Sequence, residues 1–537
     1  MLVAMVAVSR ADKLEPDDLQ TPAPEVTKPS VQLDLPVVPA FDLPSQNADG
    51  SHSVKELRVE GRTRLDSDLV VKGVITWVYD CPTAIRTAGE TDKAVAKRID
   101  DDPTLCERAK FYVGDTLQTP VEQSLWVVDV PRPFNKLELT NLPKDDLKNP
   151  PPDRCDVKAK TCPVYKVGDE VVLGGTFALA SPHSERNSDG LLVYKSMKNV
   201  TQRWETPGGV DRPSGLVRPR VPMQSPPRKK PVAPAPVKAM RAVVDPKIRD
   251  ASMQHTNAGT KFMGSKQFPD AITEFKTATA WAGNHLAWYG LGGAFAQTGN
   301  WADASAAFAH ATQLRADQPM YQMWYGIALY ERIAQQAREA QAKKANRNPE
   351  GIVPDLSGEN FDPARQHLEA ATLLDADLWR AHFYLGRIAR EGGRHKDAAE
   401  SFTDAIKSNP REPSPYIALS ELYRKWDYVD EMIKVASQGS SNIASPSAAS
   451  DLWYELGMGY DAKGQLPQAI DAFTKAIDSR ADNAKAKFQR GQAYYQQKDA
   501  ANARRDLEDF AKSSAPGVEF AKQQANRMLM DLAVKKR

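Results

Sequence analysis

The residues best able to do chemistry here are four cysteines, Cys81, Cys106, Cys155 and Cys162; the rest of the chain has none. An even number of cysteines confined to one short stretch suits two disulfides in an oxidising compartment. Three pairings are open, and Cys81–Cys106 with Cys155–Cys162 is the most local. Four reduced thiols is the alternative, and zinc is disfavoured because no C-x-x-C spacing occurs. The eight histidines are scattered. His285, His310, His367, His382 and His395 fall in helical stretches and read as surface or packing residues. There is no H-E-x-x-H, no G-x-x-x-x-G-K-[ST], no G-x-S-x-G and no EF-hand loop. Gly290-Leu291-Gly292-Gly293 sits inside a helical pattern, where close packing accounts for it. No catalytic residue, cofactor or metal ligand is therefore assigned, and the chain is expected not to be an enzyme.

The elements that would carry a site fall into four stretches. Over 537 residues the net charge is only +2, so the whole molecule has no field drawing it to nucleic acid or membrane. Residues 1–50 hold eight acids against three bases, and residues 10–50 contain seven prolines, which predicts disorder. Residues 207–247 hold nine bases, two acids and ten prolines, which predicts an extended linker. Its Arg228-Lys229-Lys230 cluster is a candidate contact for phosphate or an acidic partner, and a plain spacer is the simpler reading. No apolar run reaches the roughly 18 residues of a membrane span. Met1–Val8 reads MLVAMVAV and is followed by small residues that fit a signal-peptidase site. It is read as a signal remnant, implying the periplasm or cell envelope, with a cytoplasmic apolar tail as the alternative.

Residues 51–206 read as β-structure. Strands are expected at Val54–Gly61, Leu69–Tyr79, Phe111–Gly114, Leu125–Val130, Glu170–Ala180 and Leu191–Val200, with a short helix near Thr91–Asp101. Gly73 marks a bulge or barrel corner. The strand Val71–Val78 with its internal glycine, then Phe111–Asp115, Tyr165–Thr176 with its K-V-G-D-x-V, and Gly190–Tyr194 resemble an OB-fold barrel. That resemblance implies oligonucleotide or oligosaccharide binding. Acids and bases nearly balance here, which argues against phosphate contacts. Trp77, Tyr79, Phe111 and Tyr112 could stack on bases or form the barrel's core.

From residue 248 a glycine recurs: Gly259, Gly292, Gly326, Gly386, Gly457 and Gly491. Twelve residues after most of them stands an alanine, at Ala271, Ala304, Ala398, Ala469 and Ala503. Four further on comes Phe275, Phe308, Phe402, Phe473 or Leu507. Near-zero side chains let two helices approach, and a ring from the partner fills the gap. This spacing resembles the tetratricopeptide repeat. Seven units are placed, beginning near Ser252, His285, Pro319, Trp379, Pro413, Ser450 and Ala484, with Gly517–Val534 closing the stack. The third unit carries the excess Arg332–Asn360, read as a lengthened first helix plus a projecting loop. The fifth has Ser420 for glycine and Met432 for alanine, which predicts a wider crossing.

The expected architecture is a small antiparallel β-barrel over 51–206 followed by an α-helical solenoid over 248–537. The resemblance implies a concave face lined by first helices. Tyr289, Met323, Trp324, Tyr330, Phe383, Tyr384, Arg387, Tyr454, Phe488 and Tyr495 are the candidate partner-binding residues there, with packing between helices as the competing role. The function read from this is a non-enzymatic scaffold binding a peptide or partner helix. The alternatives are a nucleic-acid-binding protein using barrel and linker, and a cell-envelope assembly factor.

Overall fold

The computed structural model describes residues 32–42, 47, 49–87, 90–120, 123–135, 138–139, 151, 153–183, 186–210, 245–346, 348–352, 354–513 and 519–534. The apolar run Met1–Val8, the start of the acidic tail and the Arg228-Lys229-Lys230 cluster lie outside these residues.

A twelve-residue strand rich in β-branched side chains, β1 (Ser67–Val78), is the axis of the barrel. It pairs antiparallel with both β2 (Phe111–Gly114) and β4 (Glu170–Ala180). β2 pairs with β3 (Leu125–Val128), β4 with β5 (Arg186–Asn199), and β3 closes the ring by running parallel to β5. The result is a closed five-stranded barrel with the OB-fold order of strands.

Alternation along β2 and β3 sends Phe111, Val113, Leu125 and Val127 inward, and Tyr112, Trp126 and Val128 to a second cluster on the opposite side. The bulge expected at Gly73 lies further on, between Ile75 and Trp77, and it turns Trp77 onto the Tyr112 side. Gly73 instead marks a close approach, since a Cβ there would sit 2.4 Å from Val113.

Val54–Glu60 is a helix, α1, and not the expected strand. Ser53 caps it, its side chain accepting the Glu56 N–H, so Ser53-Val54-Lys55-Glu56 has the serine and glutamate spacing of a capping box. Val54 and Leu57 plug the barrel. The short helices α2 (Cys81–Ile85) and α3 (Asp92–Asp101) follow β1, with Thr91 capping α3. Disulfides join Cys81 to Cys106 and Cys155 to Cys162.

The carboxy-terminal region is seven antiparallel helix pairs: α4 (Pro246–Gly264) with α5 (Phe268–Ala278), α6 (His285–Gln297) with α7 (Trp301–Leu314), α8 (Pro319–Ala345) with α9 (Asp362–Leu374), α10 (Trp379–Glu391) with α11 (His395–Ser408), α12 (Pro413–Lys425) with α13 (Val429–Asn442), α14 (Pro446–Ala462) with α15 (Leu466–Ser479), and α16 (Ala484–Gln496) with α17 (Ala500–Ala511). Helix α18 (Glu519–Val534) closes the stack, its Ala521 and Ala525 packed on Phe488, Leu507 and Phe510.

The glycine–ring spacing does what its chemistry requires. A Cβ built on Gly259, Gly292, Gly386 or Gly457 would meet Phe275, Phe308, Phe402 or Phe473 at 2.8 Å or less. Polar pins recur as well. Ser252 and Ser450 donate to the carbonyls of Ala278 and Ala476, and the next pair's cap, Asn284 or Asn483, donates back to each serine.

Two further expectations are corrected. The loop of the third pair does not project. Gln341 in the lengthened helix α8 exchanges two hydrogen bonds with the Asp355 backbone, and Leu356 and Phe361 are buried. Residues 32–42 of the acidic tail are not disordered. They lie outside any helix or strand on the fourth and fifth pairs, with Phe41 only 8% exposed.

Candidate functional site

Helix phase sorts the ten candidate residues into two groups. Tyr289, Met323, Phe383, Tyr454 and Phe488 stand three residues before the repeat glycine and turn into the array's interior. Four of them meet a ring of their own pair's second helix: Tyr289–Phe308 at 5.7 Å, Phe383–Phe402 at 5.8 Å, Tyr454–Phe473 at 6.0 Å and Phe488–Phe510 at 5.0 Å. Met323 is buried among the same core. These five are packing residues as the molecule stands, because a side chain filling the crossing of two helices has no face left for a partner.

Trp324, Tyr330, Tyr384, Arg387 and Tyr495 lie two before, one after or four after the glycine. That i, i+3 spacing makes one stripe along the first helices. Trp324, Tyr330 and Tyr384 are fully buried. The Tyr384 hydroxyl donates to Glu331 at 2.8 Å, and Arg387 reaches the same carboxylate at 3.1 Å. The Arg387 guanidinium also covers the Tyr330 and Tyr384 rings at 4.5 and 4.9 Å. The Trp324 indole N–H and the Tyr330 hydroxyl are buried without a hydrogen-bond partner. Tyr495 is half-buried and bonds Asp531 of the closing helix.

Polar residues continue the stripe into the fifth to seventh pairs. Glu421 and Arg424 on α12, Glu455 on α14 and Lys485 on α16 form a chain of alternating charge, with Arg424 3.0 Å from Glu455. Burial pushes the Glu421 carboxyl above its ordinary range and repulsion from Glu455 adds to it, against the pull of Arg390, Arg424 and Lys485. Burial likewise draws the Lys485 ammonium below its usual value, opposed by Glu421 and Glu455. None of these four was among the candidates, because an aromatic residue on a first helix was the signal sought. The repeat position itself would have found Glu421 and Arg424, one and four residues after Ser420, and Glu455, two before Gly457.

The barrel closes one end of this surface. Arg58 on α1 pairs with Asp427 at 2.7 Å and donates to the Lys425 carbonyl at 3.1 Å, in the turn of the fifth pair. Lys55 adds a second contact to Asp427 at 3.2 Å. A further contact joins Gln523 of α18 to Glu107 at 3.3 Å. A cavity of about 1230 Å³ lies between barrel and array, lined by Lys72, Thr76, Asp115 and Glu170 on one side and by Asp461, Gln489, Gln492 and Gln524 on the other. Asp461, Gln489 and Gln492 also belong to the stripe, so the first-helix surface opens into this cavity. Trp77 and Tyr112 are buried and stacked on each other at 4.8 Å, so neither ring face is offered to a base. No His/Cys/Asp/Glu group able to hold a metal ion, and no helix long and apolar enough to cross a membrane, occurs among the described residues.

The tetratricopeptide-repeat profile matches residues 256–319, 356–413 and 454–518. The helical half of this chain is thus a tetratricopeptide-repeat array, preceded by a closed five-stranded barrel. Arrays of this class generally serve as non-catalytic scaffolds for other proteins. Among solved structures, a tetratricopeptide repeat protein from Parabacteroides merdae aligns at 13% identity and TM-score 0.35, over 52% of this chain and 99% of its own. YrrB, described as having an unusual peptide-binding site, aligns at 13% identity and TM-score 0.30, over 42% and 99%. No curated protein matches the chain in sequence.

Proposed function

We propose that the protein is an adaptor that holds an extended peptide or partner helix against the first-helix stripe, with the barrel walling the carboxy-terminal end of that groove. One observation carries the reading. From Trp324 to Gln492, successive first helices place polar and aromatic groups at the same repeat positions, and toward the carboxy-terminal end these include the half-buried Glu421, Arg424, Lys485 and Gln492. Alternating charge with aromatic faces is the chemistry that anchors a segment carrying both signs. The test is affinity capture with the full chain, comparing Glu421→Ala/Lys485→Ala with Asp471→Ala on the exposed side of α15. The stripe variant should lose captured proteins that the α15 variant keeps; identical sets would refute the groove.

An exported location in the cell envelope is part of this proposal, supported by the pairing of all four cysteines. Thiol titration of the denatured, unreduced protein should find no thiol, and four would place it elsewhere.

A further inference from the structure

A second surface, on the fourth and fifth pairs, is covered by this chain's own residues 32–42. Residues 32–42, QLDLPVVPAFD, run along the fourth and fifth pairs outside any helix or strand; Pro36 and Pro39 favour extended backbone, and Phe41 turns left-handed at φ 59°. Their side chains divide by face. Leu33, Leu35 and Val38 pack on the array's core, whereas Val37 is 90% exposed.

Recognition is of main chain as well as side chain. The Gln438 amide, on α13, takes both sides of one backbone stretch. Its oxygen accepts the Asp34 N–H at 2.8 Å, and its nitrogen donates to the Gln32 carbonyl at 3.3 Å. Lys434 lies 3.5 Å from the Asp34 carboxylate. Seven residues on, the Phe41 ring sits edge-on to Trp426 and Tyr428 at 5.1 and 5.3 Å, and stacks on Tyr423 and His395 at 6.1 and 6.4 Å.

That seat is more polar than its occupant. Among the described residues the Tyr423 hydroxyl, the Trp426 indole N–H and His395 Nδ1 have no hydrogen-bond partner, and Tyr423 and Trp426 are 0% and 2% exposed. A phenyl ring cannot bond to any of them, and buried polar atoms left unpaired are costly. A phenol in the same place brings one donor and an acceptor.

We propose that the outer edge of the fourth and fifth pairs is a second peptide-binding site, separate from the first-helix groove. Residues 32–42 fill it in cis. A partner segment of the same kind fills it in trans: proline-containing, with an acid seven residues before a tyrosine. The cis segment competes at the high effective concentration of a tethered ligand, so the site admits a partner fully only when the tether is weakened.

The test uses a fluorescein-labelled peptide of residues 32–42 carrying Phe41→Tyr, titrated into the full chain by fluorescence anisotropy. Asp34 is 84% exposed at its side chain, so Asp34→Lys weakens the tether without touching the core. The peptide should bind the Asp34→Lys chain about tenfold or more tighter than the unaltered chain. It should bind more tightly than its Phe41 parent, and adding Gln438→Ala to the chain should abolish binding. Equal affinity for both chains, or indifference to Gln438→Ala, overturns the site; equal affinity for both peptides overturns the polar seat. Hydrogen exchange on the unaltered chain gives a reading without any variant. Saturating peptide should speed exchange at the Asp34 amide, and unchanged protection overturns exchange of the segment.

Discussion

The fourth and fifth helix pairs share one spacing and interlock in opposite senses. In the fourth, Gly386 on the first helix receives Phe402 from the second, and a Cβ at 386 would sit 2.5 Å from that ring. In the fifth the corresponding residues are Ser420 and Ala436, and the bulk has moved to the first helix. Tyr416 there lies against Gly439 on the second, 2.8 Å from where a Cβ would be. The crossing predicted to be wider is therefore filled, with large and small exchanged between helices. Packing conserves the sum of volumes across a contact, not the residue at each position. The inverted pair is also the one whose turn, Lys425 to Tyr428, anchors the barrel through Arg58 and seats Phe41.

The comparison can be broken most forcefully at its rings. Phe402→Ala should cost about 3–5 kcal/mol, whereas Ala436→Gly should cost about 1 kcal/mol, from helix propensity. Denaturant unfolding followed by circular dichroism reads both, and similar losses would mean the two pairs do not differ as described. The glycine of the inverted pair comes next. Gly439→Ala should destabilise by about 1–3 kcal/mol through its clash with Tyr416. Ser420→Ala, which removes a buried hydroxyl lacking a partner, should be neutral or stabilising.

A small effect is expected on pH dependence. Burial, then repulsion from Lys425 and Arg390, holds the His395 imidazole down at about 3. Its folded value lies below the unfolded one, so the stability it contributes is present above pH about 6.5 and is lost as pH falls toward 3. At pH 6 the loss should be under about 1 kcal/mol. A melting temperature that does not fall between pH 7.5 and 6, or falls equally in His395→Asn, would remove His395 from the account.

The repeat was legible because its signal is local: glycine and ring are sixteen residues apart on adjoining helices, and size alone decides whether they fit. The barrel strands were legible by alternation, and the short helix near Thr91–Asp101 matches α3. Val54–Glu60 was misread because Val54, Leu57 and Val59 also suit a strand, and only the Ser53–Glu56 capping pair separates the two. Five of the ten candidates, Tyr289, Met323, Phe383, Tyr454 and Phe488, stand one residue of phase away from the stripe. Three before the glycine points into the pair and two before points along the stripe, a distinction of about 100° that aromatic content does not carry. Residues 32–42 were hidden by composition. Acid and proline suggest disorder, yet Leu33, Leu35, Val38 and Phe41 all pack on the helix pairs.

The claim that the first-helix stripe is the partner-binding surface is tested most directly by photo-cross-linking. A benzophenone amino acid is placed at Gln492 on the stripe and, in a second chain, at Asp471 on α15. Partner segments should be captured from position 492 and not from 471. Capture from 471 alone, or equally from both, would contradict the account.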